Sequence, residues 1–93
     1  MNEQAYNPIN TIRIELWAKW RSYKSTTLVN HSLHAIKAWI RQNGRNADYA
    51  LFWLFGAYGW YKKAVFNVVG HWDFRPLNEA YTAATKWQEV PSV

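Results

Sequence analysis

The stretch DYALFWLFGAYGWYKKAVFNVVG, residues 48–70, decides how this chain folds. From Tyr49 to Tyr61 it carries no charge and almost no polarity, and Lys62 and Lys63 then interrupt before an apolar tail. A helix crossing a bilayer needs roughly 20 consecutive apolar residues, and the lysines arrive too soon for that. A helix apolar on all sides belongs at the centre of a core. The stretch therefore reads as a central hairpin or kinked helix around which the other segments pack. Gly56 and Gly59 lower helix propensity in its middle. The reading adopted is a break there, with helices over 46–56 and 60–69. Asn46 caps the first of these and Asp48 sits in its first turn. The second turns Trp60, Ala64, Val65, Val68 and Val69 inward, and Lys62, Lys63, Phe66 and Asn67 outward.

Upstream, Ile12, Leu16, Trp20 and Tyr23 recur at helical spacing, which predicts a helix from Asn10 or Thr11 to about Lys24. Glu15 and Lys19 form an i,i+4 pair on it. Arg13, Trp17, Arg21 and Lys24 share another face, a basic stripe with an indole set into it. A second helix starts near Thr27 or Asn30 and ends at Asn43, with Gly44 as its cap. Its stripe is Val29, Leu33, Ile36 and Ile40, flanked by Trp39, while His34, Lys37 and Arg41 lie outside. Downstream, Asp73 caps a last helix over 75–89 that has Pro76 in its first turn. Leu77, Ala80, Tyr81, Ala84 and Trp87 face inward, and Arg75, Asn78, Thr82, Lys86 and Glu89 outward. No strand alternation stands out. The expected fold is all-α: a compact single-domain bundle of four to five short helices over 10–90, with room for a helix-turn-helix, behind a flexible arm at 1–9.

Composition bounds the function. The 93 residues suit one domain with one core. The absence of cysteine excludes disulfides, thiolate metal sites and a cysteine nucleophile. It fits a cytoplasmic protein, and MNEQAYNPIN has no basic start or apolar segment of a secretory signal. Aromatic content is 18%, too much for so small a core to hide every ring. The net charge of +5 is uneven, because nine basic residues from Arg13 to Lys63 face only Glu15 and Asp48. Such asymmetry points to an anionic partner.

No catalytic constellation stands out. His31 and His34 lie one helical turn apart, but a zinc site needs a third ligand, so no metal and no cofactor are expected. No serine lies in a glycine-flanked elbow, and no glycine-rich loop is built for phosphate. A non-enzymatic protein is expected, with neither a membrane nor a small-molecule substrate as its partner.

The short segments 46–56, 60–69 and 75–89 have the proportions of a helix-turn-helix unit. In that reading Lys62 and Lys63 sit near phosphates, and Arg75, Asn78, Thr82 and Lys86 face the groove. The segment IELWAKWRS resembles the Trp-x-x-Trp-Arg opening of phage late antiterminators of the Q type, with further matches at Gly70, Ala80 and Ala84. The resemblance implies a phage protein with a sigma-like helix-turn-helix downstream.

Three function classes stay open. One is a phage-like regulator of transcription that binds nucleic acid, through Arg13, Arg21, Lys24, Lys37, Arg41, Lys62, Lys63, Arg75, Asn78 and Lys86. Another is an inhibitor or adaptor from a mobile element, such as an anti-CRISPR or an inhibitor of a polymerase or nuclease. It would bind an acidic host protein surface through Trp17, Phe66, Trp72 and Phe74 with nearby arginines. The third is a helical oligomerising subunit, such as a homodimer, whose surplus rings are buried between chains.

Overall fold

The computed structural model describes residues 11–56 and 59–86, so the expected arm at 1–9 lies outside the described residues. The all-α expectation is overturned. The chain forms β1 (Thr11–Ala18), β2 (Arg21–Val29), α1 (Leu33–Asn43), β3 (Tyr49–Gly56), β4 (Gly59–Val68), β5 (His71–Asp73) and α2 (Arg75–Lys86). The strands make one antiparallel sheet in the order β2-β1-β3-β4-β5. Strands β2 and β3 both run antiparallel to β1, so α1 links them by crossing over β1.

Each misread segment has a physical reason. Ile12 and Leu16 share a face in a helix and also in a strand, because four residues fit both periods. Ile14 separates the two cases: it joins Ile12 and Leu16 in the core, all three fully buried. Glu15 accordingly pairs with Arg13 two residues away, not with Lys19. The central stretch is apolar on both sides because β3 is the middle strand, with Ala50, Phe52 and Leu54 on one face and Tyr49, Leu51, Trp53 and Phe55 on the other. The expected helix 60–69 is β4 and its turn, where Val65 is buried while Trp60, Val68 and Val69 are exposed. Of the expected helix-turn-helix only its last helix forms, as α2, while β4, a turn and β5 precede it where the backbone-crossing helix was expected.

Both helices cover one face of the sheet. Ile36 and Ile40 of α1, and Leu77, Ala80 and Ala84 of α2, join the strand residues in a single core. Each isoleucine and leucine among them, fully buried, contributes about 1.5–3 kcal/mol, and each alanine methyl less than about 1 kcal/mol. Tyr81 donates to the carbonyl of His31 at the start of α1, and Phe74 lies beneath Lys37 and Arg41 toward its end. The helices therefore run antiparallel. The expected end of α1 at Asn43–Gly44 is what the structure has, whereas its start is Ser32, whose hydroxyl accepts from the Ala35 N–H. Asp73 accepts from the Arg75 N–H at the head of α2, as its sequence position implied.

The hairpin turns at one end of the sheet break local rules. Lys19 and Trp20 have φ of 50° and 78°, and Val69 and Gly70 have φ of 49° and 85°. Two successive left-handed residues form the turn that suits a twisted hairpin, usually built from Asn and Gly. A β-branched residue there is strained. Two side chains hold the turns: Asp48 Oδ2 accepts from the Lys19 N–H and Asn67 Oδ1 from the Gly70 N–H, each at 3.0 Å. Asn67 also donates to the Ala47 carbonyl at 2.9 Å, tying β4 to the loop that enters β3.

Two substitutions test this packing by urea denaturation. Val69 is 93% exposed, so Val69→Asn loses no burial and relieves the turn, raising stability by about 1 kcal/mol. A Cβ on Gly44 would meet the Ile40 carbonyl at 2.7 Å and Trp72 at 3.0 Å. Gly44→Ala is therefore expected to cost about 1–3 kcal/mol.

Candidate functional site

Among the described residues no helix lies on the other face of the sheet, and its side chains follow from strand alternation and register. Four cross-strand rows result. Trp17, Tyr49 and Phe66 stand side by side on β1, β3 and β4. The next row is Glu15, Leu51 and Ala64; the third is Arg13, Trp53 and Lys62; the last is Thr11, Phe55 and Trp60. Successive rows are about 6.5–7 Å apart, twice the rise of a strand residue.

The rings support one another. Trp17 stacks on Tyr49 at 5.9 Å between centroids, with planes within 10°, and Tyr49 meets Phe66 at 5.8 Å. Phe55 meets Trp60 at 5.2 Å. Trp53 stands between two cations, with the Arg13 guanidinium 5.9 Å and the Lys62 ammonium 5.2 Å from its ring centre. Such contacts are worth about 0.5–1 kcal/mol each at exposed sites. They fix the cations on the platform rather than leaving them to wander in solvent. Phe66 and Trp60 remain more than half exposed, at 54% and 58%. Glu15 is the acidic member in the middle, taking hydrogen bonds from Arg13 Nη2 and Trp17 Nε1, each at 3.2 Å. Arg13, Glu15, Trp53 and Trp60 line a depression of about 440 Å³.

Of the residues singled out from sequence, Arg13, Lys62, Trp17 and Phe66 come together on this face. Residues four apart stay together on a strand, which is why Arg13 with Trp17, and Lys62 with Phe66, were grouped correctly under a helical reading. The same arithmetic separates the rest. Lys63 lies in register with buried Phe52, on the opposite face from Lys62. Arg21 and Lys24 belong to edge strand β2, and Lys24 Nζ donates to Asn43 Oδ1 at 2.8 Å, toward the helices.

Trp72 and Phe74 stack on each other at 6.1 Å on the helical side. Phe74 is only 7% exposed, under Lys37 and Arg41 at 5.6 and 5.0 Å. Those four residues pack α1 against the head of α2. Arg75 is held by Asp73, and Asn78 lines a separate depression on α2 with Glu79, Thr82 and Ala83. Lys86 ends α2, and its side chain lies outside the described residues.

Tyr49, Leu51, Trp53, Phe55 and Trp60 were missed as surface residues because a uniformly apolar run gives no period to read. The only available signal was alternation in the adjoining strand, where Ile12, Ile14 and Leu16 already define which side is inside.

Among the described residues no group of three or more His, Asp or Glu side chains is placed to hold a metal ion. None of their helices is long and apolar enough to cross a membrane. Neither a protein-family model, nor a curated protein, nor a solved structure matches the chain.

Asp73 marks the edge of the first aromatic row, in register with Phe66. Hydrogen bonds from the Arg75 side chain, and then from its backbone N–H, lower its carboxyl from 3.8 to about 2. A depressed carboxyl adds stability above its unfolded value and loses it as pH falls through its folded one. Stability should accordingly decline between about pH 4 and pH 2. In Asp73→Asn the decline over that window should be shallower, as read by thermal unfolding at stepped pH.

Proposed function

We propose that this is a non-enzymatic, single-strand nucleic-acid-binding protein that works through the open sheet face. The observation that carries the reading is Trp53 held between Arg13 and Lys62, inside an aromatic platform that runs across three strands. Single strands present π-faces that stack on aromatic rings and on guanidinium planes, and phosphates that seek fixed cations. A sheet whose other face is closed by helices offers both on a rigid support. The overall charge of +5 favours a polyanion over a neutral partner. Duplex DNA is a poorer fit, because the platform spans three strands rather than forming a ridge that enters a groove. A regulatory role in a cytoplasmic setting accords with this chemistry.

A protein partner is the second reading, favoured by the row of Trp17, Tyr49 and Phe66. That row has no cation in it and continues into Leu51 and Ala64. An apolar patch of that kind is also what a docking surface needs.

Salt titration separates the two. Single-stranded oligonucleotides should bind better than duplex, with log affinity falling against log salt by about 0.7 per phosphate neutralised. Lys62→Ala should flatten the slope by about that amount, whereas Trp60→Ala should weaken binding by about 1–3 kcal/mol with the slope kept. Preference for duplex overturns the single-strand reading, and no binding even at low salt overturns it and leaves the protein partner.

A further inference from the structure

Glu15 is out of place on a surface meant for phosphates. Its carboxylate sits mid-platform between the aromatic rows, and it weakens the field of Arg13 and Lys62 at the point where a polyanion would lie. Simple neutralisation of Arg13 accounts for one oxygen only, since the other is held by the Trp17 indole N–H. The carboxylate is therefore oriented from both sides, with its side chain 19% exposed beside the depression of about 440 Å³. A carboxylate has about four acceptor positions, so after these two bonds each oxygen retains capacity for one more donor. The depression is roughly the size of a small-molecule site. Trp60, more than half exposed, and the guanidinium plane of Arg13 both line it.

Resting on the single-strand reading above, we propose that this depression is a base-recognition pocket that selects guanine. The chemistry of the base edges decides the choice. Guanine presents two adjacent donors on its Watson–Crick edge, N1–H and the 2-amino group, which match two adjacent carboxylate oxygens. Adenine and cytosine each offer an amino group beside a ring nitrogen whose lone pair faces the carboxylate and repels it. Thymine and uracil offer one N–H flanked by two carbonyls. Only in a single strand is that edge free to be read. Trp60 and the Arg13 guanidinium supply the stacking surfaces, Lys62 meets the backbone, and Glu15 reads the base. Acid–base complementarity of this kind gives specificity at the expense of some affinity for other bases.

The experiment titrates the full chain with short oligothymidylates that carry one central guanine, inosine, adenine or cytosine. The guanine strand should bind about tenfold more tightly than the adenine and cytosine strands. Inosine keeps N1–H and lacks the 2-amino group, so its strand should fall between them. Glu15→Gln turns one acceptor into a donor, and it should compress these differences while leaving the salt slope in place. The inosine comparison uses the unaltered protein and does not depend on how the variant folds. Equal affinity for all four strands, or a guanine preference that survives in Glu15→Gln, overturns the pocket and leaves the platform standing. No binding to any strand overturns the platform itself.

Discussion

Pairing of β3 on both its edges is the constraint on which the rest of this structure depends. Strand β3 is almost wholly apolar, and in a helix such a segment would have to be surrounded on every side. In the sheet it is satisfied by β1 on one edge and β4 on the other, with its backbone bonds made to both. Its side chains then divide by alternation: Ala50, Phe52 and Leu54 meet the helices, while Tyr49, Leu51, Trp53 and Phe55 line the far side. The second set is the centre of the candidate interface, so the fold and that interface share one strand. A change to the register of β3 by one residue would exchange the two sets and lose both.

The far side avoids being a simple hydrophobic liability by the way its neighbours are chosen. Arg13 on β1 and Lys62 on β4 bracket Trp53, and Glu15 holds Arg13 and Trp17 in place. Each of these contacts is weak alone. Together they turn a patch of rings into a surface with fixed charge positions, suited to a ligand that is planar and anionic at once. The opposite side uses the same residue types differently. There Lys37 and Arg41 cover buried Phe74, and the cations serve packing between α1 and α2. A basic or aromatic residue thus says little about binding until its face is known.

How much of this was legible in the sequence follows from periodicity. The end of α1 at Gly44, its buried Ile36 and Ile40, and the Asp73–Pro76 start of α2 with inward Leu77, Ala80 and Ala84 could all be read, because a helical stripe and its end signals act locally. The strands could not, for two separate reasons. In β1, Ile12 and Leu16 satisfy either period, and Ile14 is the residue that decides between them. In β3 both faces are apolar, so no period exists and only the neighbouring strand assigns the sides. The turns gave no help, since Lys19-Trp20 and Val69-Gly70 occupy left-handed positions where an Asn-Gly pair would have announced a hairpin. Arg13 with Trp17, and Lys62 with Phe66, nevertheless share a face under either reading, since spacing by four preserves it in a helix and in a strand.

The measurement that tests the central claim most directly is a nitrogen-edited NMR titration that follows the tryptophan indole N–H signals with a single-stranded oligonucleotide. If the open face is the interface, the indoles of Trp53, Trp60 and Trp17 shift and saturate together with the backbone amides of Arg13 and Lys62, while Trp39 and Trp72 on the helical side stay where they are. Shifts confined to Trp39, Trp72 and the amides of α1 and α2 would contradict the account and place binding on the helices.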